Sequence, residues 1–295
     1  MNFGFENWKG YSASQWRNDL TWRIHNTVRK YIRILHSRYR KVVKFFDIQK
    51  RISYSDLIDK TYVIHLPNRK DRYKLLKKRL QAVKFKGRKT LFDYVEFIDG
   101  VLGATVPKEG NEVIKPEYTF EEHWNIDPTP IWNSLPGKQE IKLQLSEAER
   151  GVSVAHYNTW KAFYDSGEQS ALILEDDVEF NFGFNAKLEK ILEEVPYDWD
   201  LIYLSSLPCE TGFTWEEYSD NVVRVYNGVW WLSGYMISKR FAKRLITEAP
   251  IIGPVDMWIN YMFEGANIFL APTSIIDQAD DTESDNEYSY AKQFY

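Results

Sequence analysis

The chain has 295 residues, of which 44% are hydrophobic and 27% are charged, and its formal net charge is −4. These values are typical of a globular protein with enough apolar side chains for a substantial core. The small negative charge argues against non-specific nucleic-acid binding, so we expect no nucleic-acid partner. Cys209 is the single cysteine, which excludes an intramolecular disulfide and a cysteine-based zinc cluster.

The first segment, residues 1–55, is predicted to be a basic amphipathic helical arm. Between residues 16 and 51, apolar side chains recur at spacings of three and four, which places them on one face of a helix, and Lys and Arg fill much of the rest. The apolar positions are Val28, Ile32, Leu35, Tyr39, Val42 and Phe46. The arm either lies on an anionic membrane surface or packs on the body or on a second subunit, as in a dimer.

The sequence shows no secretory signal and no apolar run of the length that a membrane span needs. We therefore expect a cytoplasmic protein. If the arm binds lipid, the protein is expected at the inner face of a membrane as a peripheral component.

Residues 56–280 alternate between β-rich runs and helical patterns, which is typical of an α/β domain. The predicted strands are 62–66, 92–98, 171–175, 200–204, 222–226 and 230–238. The predicted helices are 71–83, 185–194, 239–249 and one that starts at a capping box, Ser146 to Glu149, and carries His156 and Trp160. Residues 103–145 are predicted to be a long loop. Residues 277–287 are either a flexible tail or a lid, and the acidic C-terminal tail is placed at 281–295.

Several common catalytic motifs are absent from the sequence. Without G-x-G-x-x-G or G-x-x-x-x-G-K-[ST], neither dinucleotide binding nor P-loop chemistry is supported. Without G-x-S-x-G or H-E-x-x-H, the simplest hydrolase and metalloprotease interpretations are also unsupported.

Three consecutive carboxylates, Glu175, Asp176 and Asp177, directly follow the apolar run 171–174. An α/β sheet binds its ligands at the carboxyl ends of its strands, and three acids at one such end repel one another unless a cation neutralises them. Mg²⁺-type ions are held by one or two carboxylates together with substrate phosphates, so we expect a divalent metal that carries a diphosphate. The alternative is a solvated turn in which an Asp caps a following helix.

Six segments, in order, resemble the signature segments of glycosyltransferase family 25. This family includes bacterial lipooligosaccharide transferases and collagen hydroxylysine galactosyltransferases. The segments are Tyr62–Arg72 ("YVINLPRRxDR" in the family), Glu149–Trp160 ("GxxGCxxSHxxxW"), Ala171–Val178 ("ALILEDDV"), Trp199–Leu204 ("WDLIYLG"), Gly234–Ser238 ("AYxIS") and Pro254–Trp258 ("PVDxW"). Together they cover roughly residues 61–280.

The chain departs from the family pattern at four positions. His65 replaces an Asn, Val152 a Cys, Ala155 the Ser that usually precedes the His, and Ser205 a common Gly. None of these changes removes a carboxylate that the chemistry requires. We interpret them as signs of a different acceptor or of a divergent branch.

The resemblance implies a GT-A fold, in which one Rossmann-like nucleotide-sugar-binding domain has a mixed sheet. It implies a UDP-hexose donor, with galactose or glucose as the hexose, a Mn²⁺ or Mg²⁺ ion, and transfer with inversion. The donor-binding residues implied are Leu66, Pro67, Arg69, Arg72, His156, Glu175 and Asp176. Glu175 and Asp177 are the implied metal ligands, with the ribose as an alternative for Glu175, while Asp176 is expected to face the other way and steady the loop.

Other readings stay open for three of these residues. Arg69 and Arg72 either meet the phosphates of the donor or are exposed cations at a helix start. His156 either touches the diphosphate or is a structural histidine whose hydrogen bonds are satisfied within the protein.

Asp256 is the candidate catalytic base, because a direct inverting displacement needs a group that takes the proton of the acceptor hydroxyl. Its alternative role is a helix N-cap. Trp258 either stacks on the acceptor sugar or fills the core. Asp277 and Gln278 fall near a family segment that closes the site.

The function expected from the sequence is metal-dependent, inverting hexosyl transfer to a surface glycan or a lipid-linked oligosaccharide. One alternative is transfer to a protein, such as a collagen-like hydroxylysine. Another is a non-catalytic sugar-binding or scaffold protein of the same fold.

Overall fold

Eight strands form one mixed β-sheet in the computed structural model, which describes residues 52–109, 111–119, 142–209 and 213–279. The predicted helical arm, apart from its last residues, and the acidic tail lie outside the described residues. The strands of the whole described region, in chain order, are β1 (Lys60–His65), β2 (Val95–Asp99), β3 (Ile114–Lys115), β4 (Glu117–Thr119), β5 (Lys142–Gln144), β6 (Ser170–Glu175), β7 (Val178–Phe180), β8 (Leu201–Tyr203), β9 (Leu207–Pro208), β10 (Thr214–Ser219), β11 (Val222–Asn227), β12 (Val229–Trp230), β13 (Gly234–Ser238), β14 (Ile251–Ile252), β15 (Ile268–Leu270) and β16 (Ile276–Gln278).

Five α-helices accompany these strands in the described ranges. They are α1 (Lys70–Ala82), α2 (Glu147–Ser166), α3 (Phe184–Glu194), α4 (Lys239–Thr247) and the short α5 (Val255–Trp258). Short 3-10 segments lie at Tyr54–Asp56, Lys86–Arg88, Leu91–Tyr94, Gly103–Thr105 and Ile259–Phe263. None of the helices in these ranges is long and apolar enough to cross a bilayer.

The strand order in the large sheet is β10-β11-β15-β8-β13-β6-β1-β2. Strands β2, β1 and β6 are mutually parallel, and β8 is parallel to β15. Strand β13 runs antiparallel to both of its neighbours, β6 and β8. The α/β class with a mixed sheet, predicted from the sequence, is therefore confirmed.

The sheet has a hydrophobic core on each face, because alternate side chains of a strand point to opposite sides. On β1 and β6, Tyr62 and Ile173 belong to one core, which α2, α4 and α5 cover. Val63 and Leu172 belong to the other core, which α1 and α3 cover. Burial on both faces explains why the strand sequences read as continuous apolar runs.

The parallel pairing of β1 with β6 positions the three consecutive acids. Ile64 is the register partner of Glu175, so the carboxyl ends of both strands lie at the same edge of the sheet. The turn Asp176–Asp177 therefore begins beside His65, and helix α1 starts a few residues after β1 at that same edge.

The structure corrects several predicted elements. The run 230–238 is two strands, because Trp231 has a φ of +73° and interrupts the extended chain. The first half of 92–98 is a 3-10 turn rather than strand, and 103–145 contains β3, β4 and β5 rather than only loop. Asp277 and Gln278 belong to β16, which pairs with β7, so these two residues are not part of a flexible tail.

Helix α2 begins at the predicted capping box. The Ser146 hydroxyl accepts a hydrogen bond from the Glu149 N–H (3.1 Å), and the Glu149 carboxylate accepts one from the Ser146 N–H (2.7 Å). One turn later Gly151 lies against the loop that follows β2. A Cβ at this position would come within 2.3 Å of the Val101 carbonyl oxygen.

Substitution of Gly151 tests this close approach. In an exposed helix interior, Gly→Ala stabilises by about 1 kcal/mol. Here the added methyl group meets backbone, so we expect Gly151→Ala to lower the free energy of unfolding in urea by at least that amount. A gain in stability would show that α2 does not press on residues 101–103.

Candidate active site

Asp176 anchors the acidic turn to the end of β1 and the start of α1. Its Oδ2 lies 2.8 Å from His65 Nδ1, and its Oδ1 accepts a hydrogen bond from an Arg72 Nη1 at 2.8 Å. Burial alone would raise the pKa of this carboxyl group, but the hydrogen bonds of His65 and Arg72 outweigh burial and hold the pKa below its usual value. Both oxygens of the Asp176 carboxylate are therefore bound to side chains of the protein.

Glu175 is held by a chain of buried aromatic groups. Trp160 Nε1 donates to the Tyr235 hydroxyl (2.9 Å), which lies 2.9 Å from His156 Nδ1, and His156 Nε2 lies 3.3 Å from Glu175 Oε1. Because the Tyr235 oxygen already accepts from Trp160, its own proton is available for Nδ1. We infer that His156 is the tautomer with its proton on Nε2, donating to Glu175.

The main chain also fixes Glu175. Its N–H donates to the carbonyl oxygen of Ser233 at 2.9 Å, in the connection between β12 and β13. The Gln278 amide donates to the Ser233 hydroxyl at 2.7 Å. Strand β16 therefore supports the same connection and brings Gln278 to the site.

Asp177 has a different environment from its neighbour. Its Oδ1 is buried without a hydrogen-bond partner among the described residues, and its Oδ2 lies 3.9 Å from an Arg72 nitrogen. Burial and the adjacent charge of Glu175 raise the pKa of Asp177 to about 7. The Asp177 carboxylate is therefore poorly neutralised by the described residues.

The two arginines at the start of α1 are already paired with protein carboxylates. Arg72 is buried and binds Asp176, whereas Arg69 forms a two-point contact with Asp71 (3.1 and 2.9 Å) and lowers the pKa of Asp71 to about 2. Both arginines line the same cavity as Leu66. Pro67 is exposed and does not line this cavity.

Asp256 lines the same cavity as Arg69 and Arg72. It is the second residue of α5, and Pro254 occupies the N-cap, so the alternative that Asp256 is the N-cap of this helix is wrong. Its Oδ2 lies 3.5 Å from the Trp231 N–H. Burial, together with the charges of Glu149 and Glu175, raises the pKa of Asp256 to about 6, although the Trp231 N–H acts in the opposite direction.

Trp258 fills the core. Only 3% of its surface is exposed, and its ring stacks on Trp160 at a centroid distance of 6.3 Å. Of the two roles considered for this residue, stacking on an acceptor sugar is therefore excluded by burial.

One cavity of about 610 Å³ contains most of these groups. It is large enough for a small-molecule substrate. The ionisable side chains that line it are six carboxylates and two guanidinium groups, together with His156; the carboxylates are Glu147, Glu149, Glu175, Asp176, Asp177 and Asp256. Glu149, Trp230 and Trp231 also line the cavity, although no sequence motif marks them as site residues. Tyr235 lies in a matched segment, but the motif does not indicate its contact with His156.

The donor set fits a divalent cation bound together with a phosphate group. Within the described ranges, no group of three or more His, Cys, Asp or Glu side chains is arranged to hold a metal ion by itself. Glu175 and Asp177 nevertheless supply two carboxylates, one of which has an oxygen that lacks a partner there. Mg²⁺ sites of this kind use one or two carboxylates, with substrate phosphates completing the coordination.

The mixed sheet and the acidic turn after β6 agree with the GT-A-type fold that the motifs predicted. The sequence model of glycosyltransferase family 25 (LPS biosynthesis protein) matches residues 58–259. The chain belongs to this family. The match includes all of the predicted donor, metal and base positions.

Curated relatives are similar over a large part of this chain. Procollagen galactosyltransferase 1-B from Xenopus laevis is 26% identical over 250 residues, which are 78% of this chain and 36% of the relative. The inactive glycosyltransferase 25 family member 3 from Homo sapiens is 27% identical over 219 residues, which are 70% of this chain and 32% of the relative. Procollagen galactosyltransferase 1 from Danio rerio is 33% identical over 129 residues, 40% of this chain and 21% of the relative. This chain therefore spans about a fifth to a third of their lengths.

Asp176 and Asp177 are expected to respond in opposite ways to the same substitution. Asp177→Asn removes a charge that folding disfavours. The pKa of the Asp177 carboxyl group is higher in the folded than in the unfolded protein. The destabilisation by its charge is therefore absent below about pH 4, grows as the pH rises and is complete above about pH 7. In EDTA, we expect Asp177→Asn to raise the free energy of unfolding by about 1–3 kcal/mol at pH 8 and to have little effect at pH 4.

Asp176→Asn is the matched control, because it leaves the buried Arg72 charge without its carboxylate. We expect it to lower stability by about 3 kcal/mol or more at pH 8. Its wild-type carboxyl pKa is lowered by folding, so this loss shrinks as the pH falls through that pKa. Destabilisation by both substitutions at pH 8 would contradict the assignment of Asp177 as the uncompensated carboxylate.

Proposed function

We propose that this protein transfers a hexose from a UDP-sugar to a hydroxyl of a surface glycan or a lipid-linked oligosaccharide, with inversion at the anomeric carbon. The observation that carries the proposal is the pair of carboxylates Glu175 and Asp177 at the carboxyl end of β6, inside a cavity that also contains Asp256; a buried oxygen of Asp177 has no partner among the described residues. The donor would be bound along Leu66, Arg69 and Arg72. Family membership supports sugar transfer. The identities of the donor, the metal and the acceptor are our proposal.

A nucleoside diphosphate is negatively charged, and so are most of the ionisable side chains that line this cavity. With six carboxylates and two guanidinium groups around it, a diphosphate would be repelled unless a cation came with it. Glu175 and Asp177 would hold Mn²⁺ or Mg²⁺, which supplies Lewis-acid stabilisation of the charge on the departing diphosphate. Asp176, Arg72 and His65 keep the turn in place, and His156 keeps Glu175 oriented toward the cavity.

Asp256 would take the proton of the acceptor hydroxyl as the new glycosidic bond forms. Its pKa of about 6 leaves the carboxylate ionised at neutral pH, yet basic enough to accept a proton in the transition state. The Trp231 N–H directs Oδ2, and α5 fixes the backbone of Asp256 beside the cavity. The donor and the acceptor would therefore share one cavity.

A protein acceptor is the second candidate. Two of the relatives named above are procollagen galactosyltransferases, so a hydroxyl on a protein side chain is a reasonable alternative to a glycan hydroxyl. A third relative is named as inactive. The first experiment must therefore also distinguish a catalytic from a non-catalytic role.

That experiment measures UDP release from a panel of UDP-hexoses, with Mn²⁺ and with EDTA, in the presence of glycan and collagen-like peptide acceptors. We expect turnover of one donor with Mn²⁺ and at least a 100-fold decrease with EDTA. The acceptor that stimulates release decides between the two candidates. If no donor turns over and none shifts the melting temperature, the non-catalytic interpretation replaces the proposal.

Asp256→Asn tests the base. Loss of a general base costs roughly 10²–10⁴-fold in rate, so we expect a decrease of that size in kcat with the KM for the UDP-sugar changed less than threefold. In the wild type, kcat/KM should fall on the acid side with a midpoint near pH 6, because protonated Asp256 cannot act as a base. A near-normal kcat for Asp256→Asn would show that another group is the general base.

A further inference from the structure

Trp231 has an unusual backbone conformation for a residue with a large side chain. Its φ of +73° lies in the left-handed region, which among the described residues only Arg88 shares without being a glycine. An L-residue in this region costs roughly 1–2 kcal/mol. Such conformations persist where the surrounding structure imposes them, and they are frequent at functional sites.

The surroundings of Trp231 do impose its position. The strand β12 before it pairs with β9, and the strand β13 after it lies inside the large sheet, between β6 and β8. The start of β12 is held further by Asn260, whose side-chain oxygen accepts from the Gly228 and Val229 N–H groups at 3.0 Å. The chain must therefore turn sharply at Trp231, which is half-buried and lines the cavity.

The location of Trp231 relative to Asp256 indicates which substrate it faces. Its N–H lies 3.5 Å from Asp256 Oδ2. A general base must come within hydrogen-bond distance of the hydroxyl that it deprotonates, so residues next to Asp256 border the acceptor. The proposed metal ligands belong to a different element, since Glu175 ends β6 and Asp177 lies in the turn that follows, whereas Asp256 belongs to α5.

We propose that Trp231 is the acceptor-binding platform of this site, on which the apolar face of a pyranose ring stacks while the ring hydroxyls reach the carboxylates beside it. This inference rests on the proposed glycosyl transfer. A flat indole supplies a large apolar area at a small cost in side-chain entropy, and Asp256 and Glu149, which line the same cavity, provide acceptors for sugar hydroxyls. Trp258, the aromatic residue that the sequence analysis considered for this role, is buried against Trp160.

The test compares acceptor kinetics in the full chain with Mn²⁺ and the UDP-hexose that the donor panel identifies. The acceptor probes are methyl pyranosides and a hydroxylysine-containing collagen-like peptide. We expect Trp231→Ala to raise the KM for the pyranoside at least tenfold and to change the KM for the UDP-hexose less than threefold, whereas Trp231→Phe keeps most of the acceptor affinity. Trp215→Ala is the matched control, since Trp215 is about half exposed on β10 and does not line the cavity.

A second measurement tests the backbone independently of activity. At an ordinary helical or extended position Ala is more stable than Gly, but at a positive φ the order reverses. We therefore expect Trp231→Gly to unfold at a higher urea concentration than Trp231→Ala. The opposite order would show that Trp231 is not held in the left-handed region.

The outcomes separate the platform from the proposed function. If the wild type releases no UDP from any donor, the proposed transfer fails and the platform fails with it. If the wild type transfers hexose but Trp231→Ala keeps its pyranoside KM, only the platform is overturned. Transfer to the peptide alone, with pyranosides inactive, would likewise overturn the pyranose assignment while leaving the transferase intact.

Discussion

The buried ion pair between Asp176 and Arg72, completed by His65, is the contact on which the rest of the site depends. It joins the turn after β6 to the end of β1 and to the first turn of α1. A buried carboxylate is tolerated only when it is paired and hydrogen-bonded, so this turn has little freedom to rotate. Because Asp176 points inward, the acids on either side of it can face the cavity.

Adjacent carboxyl groups in this turn have opposite electrostatic environments. The pKa of Asp176 is lowered by its partners, whereas the pKa of Asp177 is raised by burial and by Glu175. Divergent pKa values in neighbouring groups are a common sign of different roles at functional sites. Asp176 stabilises the fold, whereas the charge of Asp177 destabilises it, and a bound cation would remove that destabilisation.

The antiparallel strand β13 connects this turn to the rest of the cavity. Tyr235 from β13 and Trp160 from α2 hold His156 against Glu175, and the Ser233 carbonyl binds the Glu175 N–H. The same connection contains Trp231, which meets Asp256 on α5. Glu175 and Asp256 are therefore both in contact with one stretch of chain, the connection between β12 and β13.

The sequence by itself determined the fold class, the run Glu175–Asp177 at a strand end, the capping box of α2 and the family. These features are local: they depend on apolar runs, on hydrogen bonds between residues three apart and on motifs that are contiguous in the chain. It also assigned Asp256 as a candidate base, but could not exclude a capping role. The family motifs named the segment that contains Tyr235 without indicating that its hydroxyl joins Trp160 to His156.

Tertiary structure decided how these local pieces combine. The inward direction of Asp176 depends on Arg72, more than one hundred residues away in the chain, and the burial of Trp258 depends on Trp160 in another helix. The break at Trp231 could not be read from the sequence, since a tryptophan between β-rich runs has no local reason for a positive φ. The pairing of β12 with β9 and of β13 with β6 and β8 imposes that conformation. Pairings between distant segments are what a single sequence leaves open.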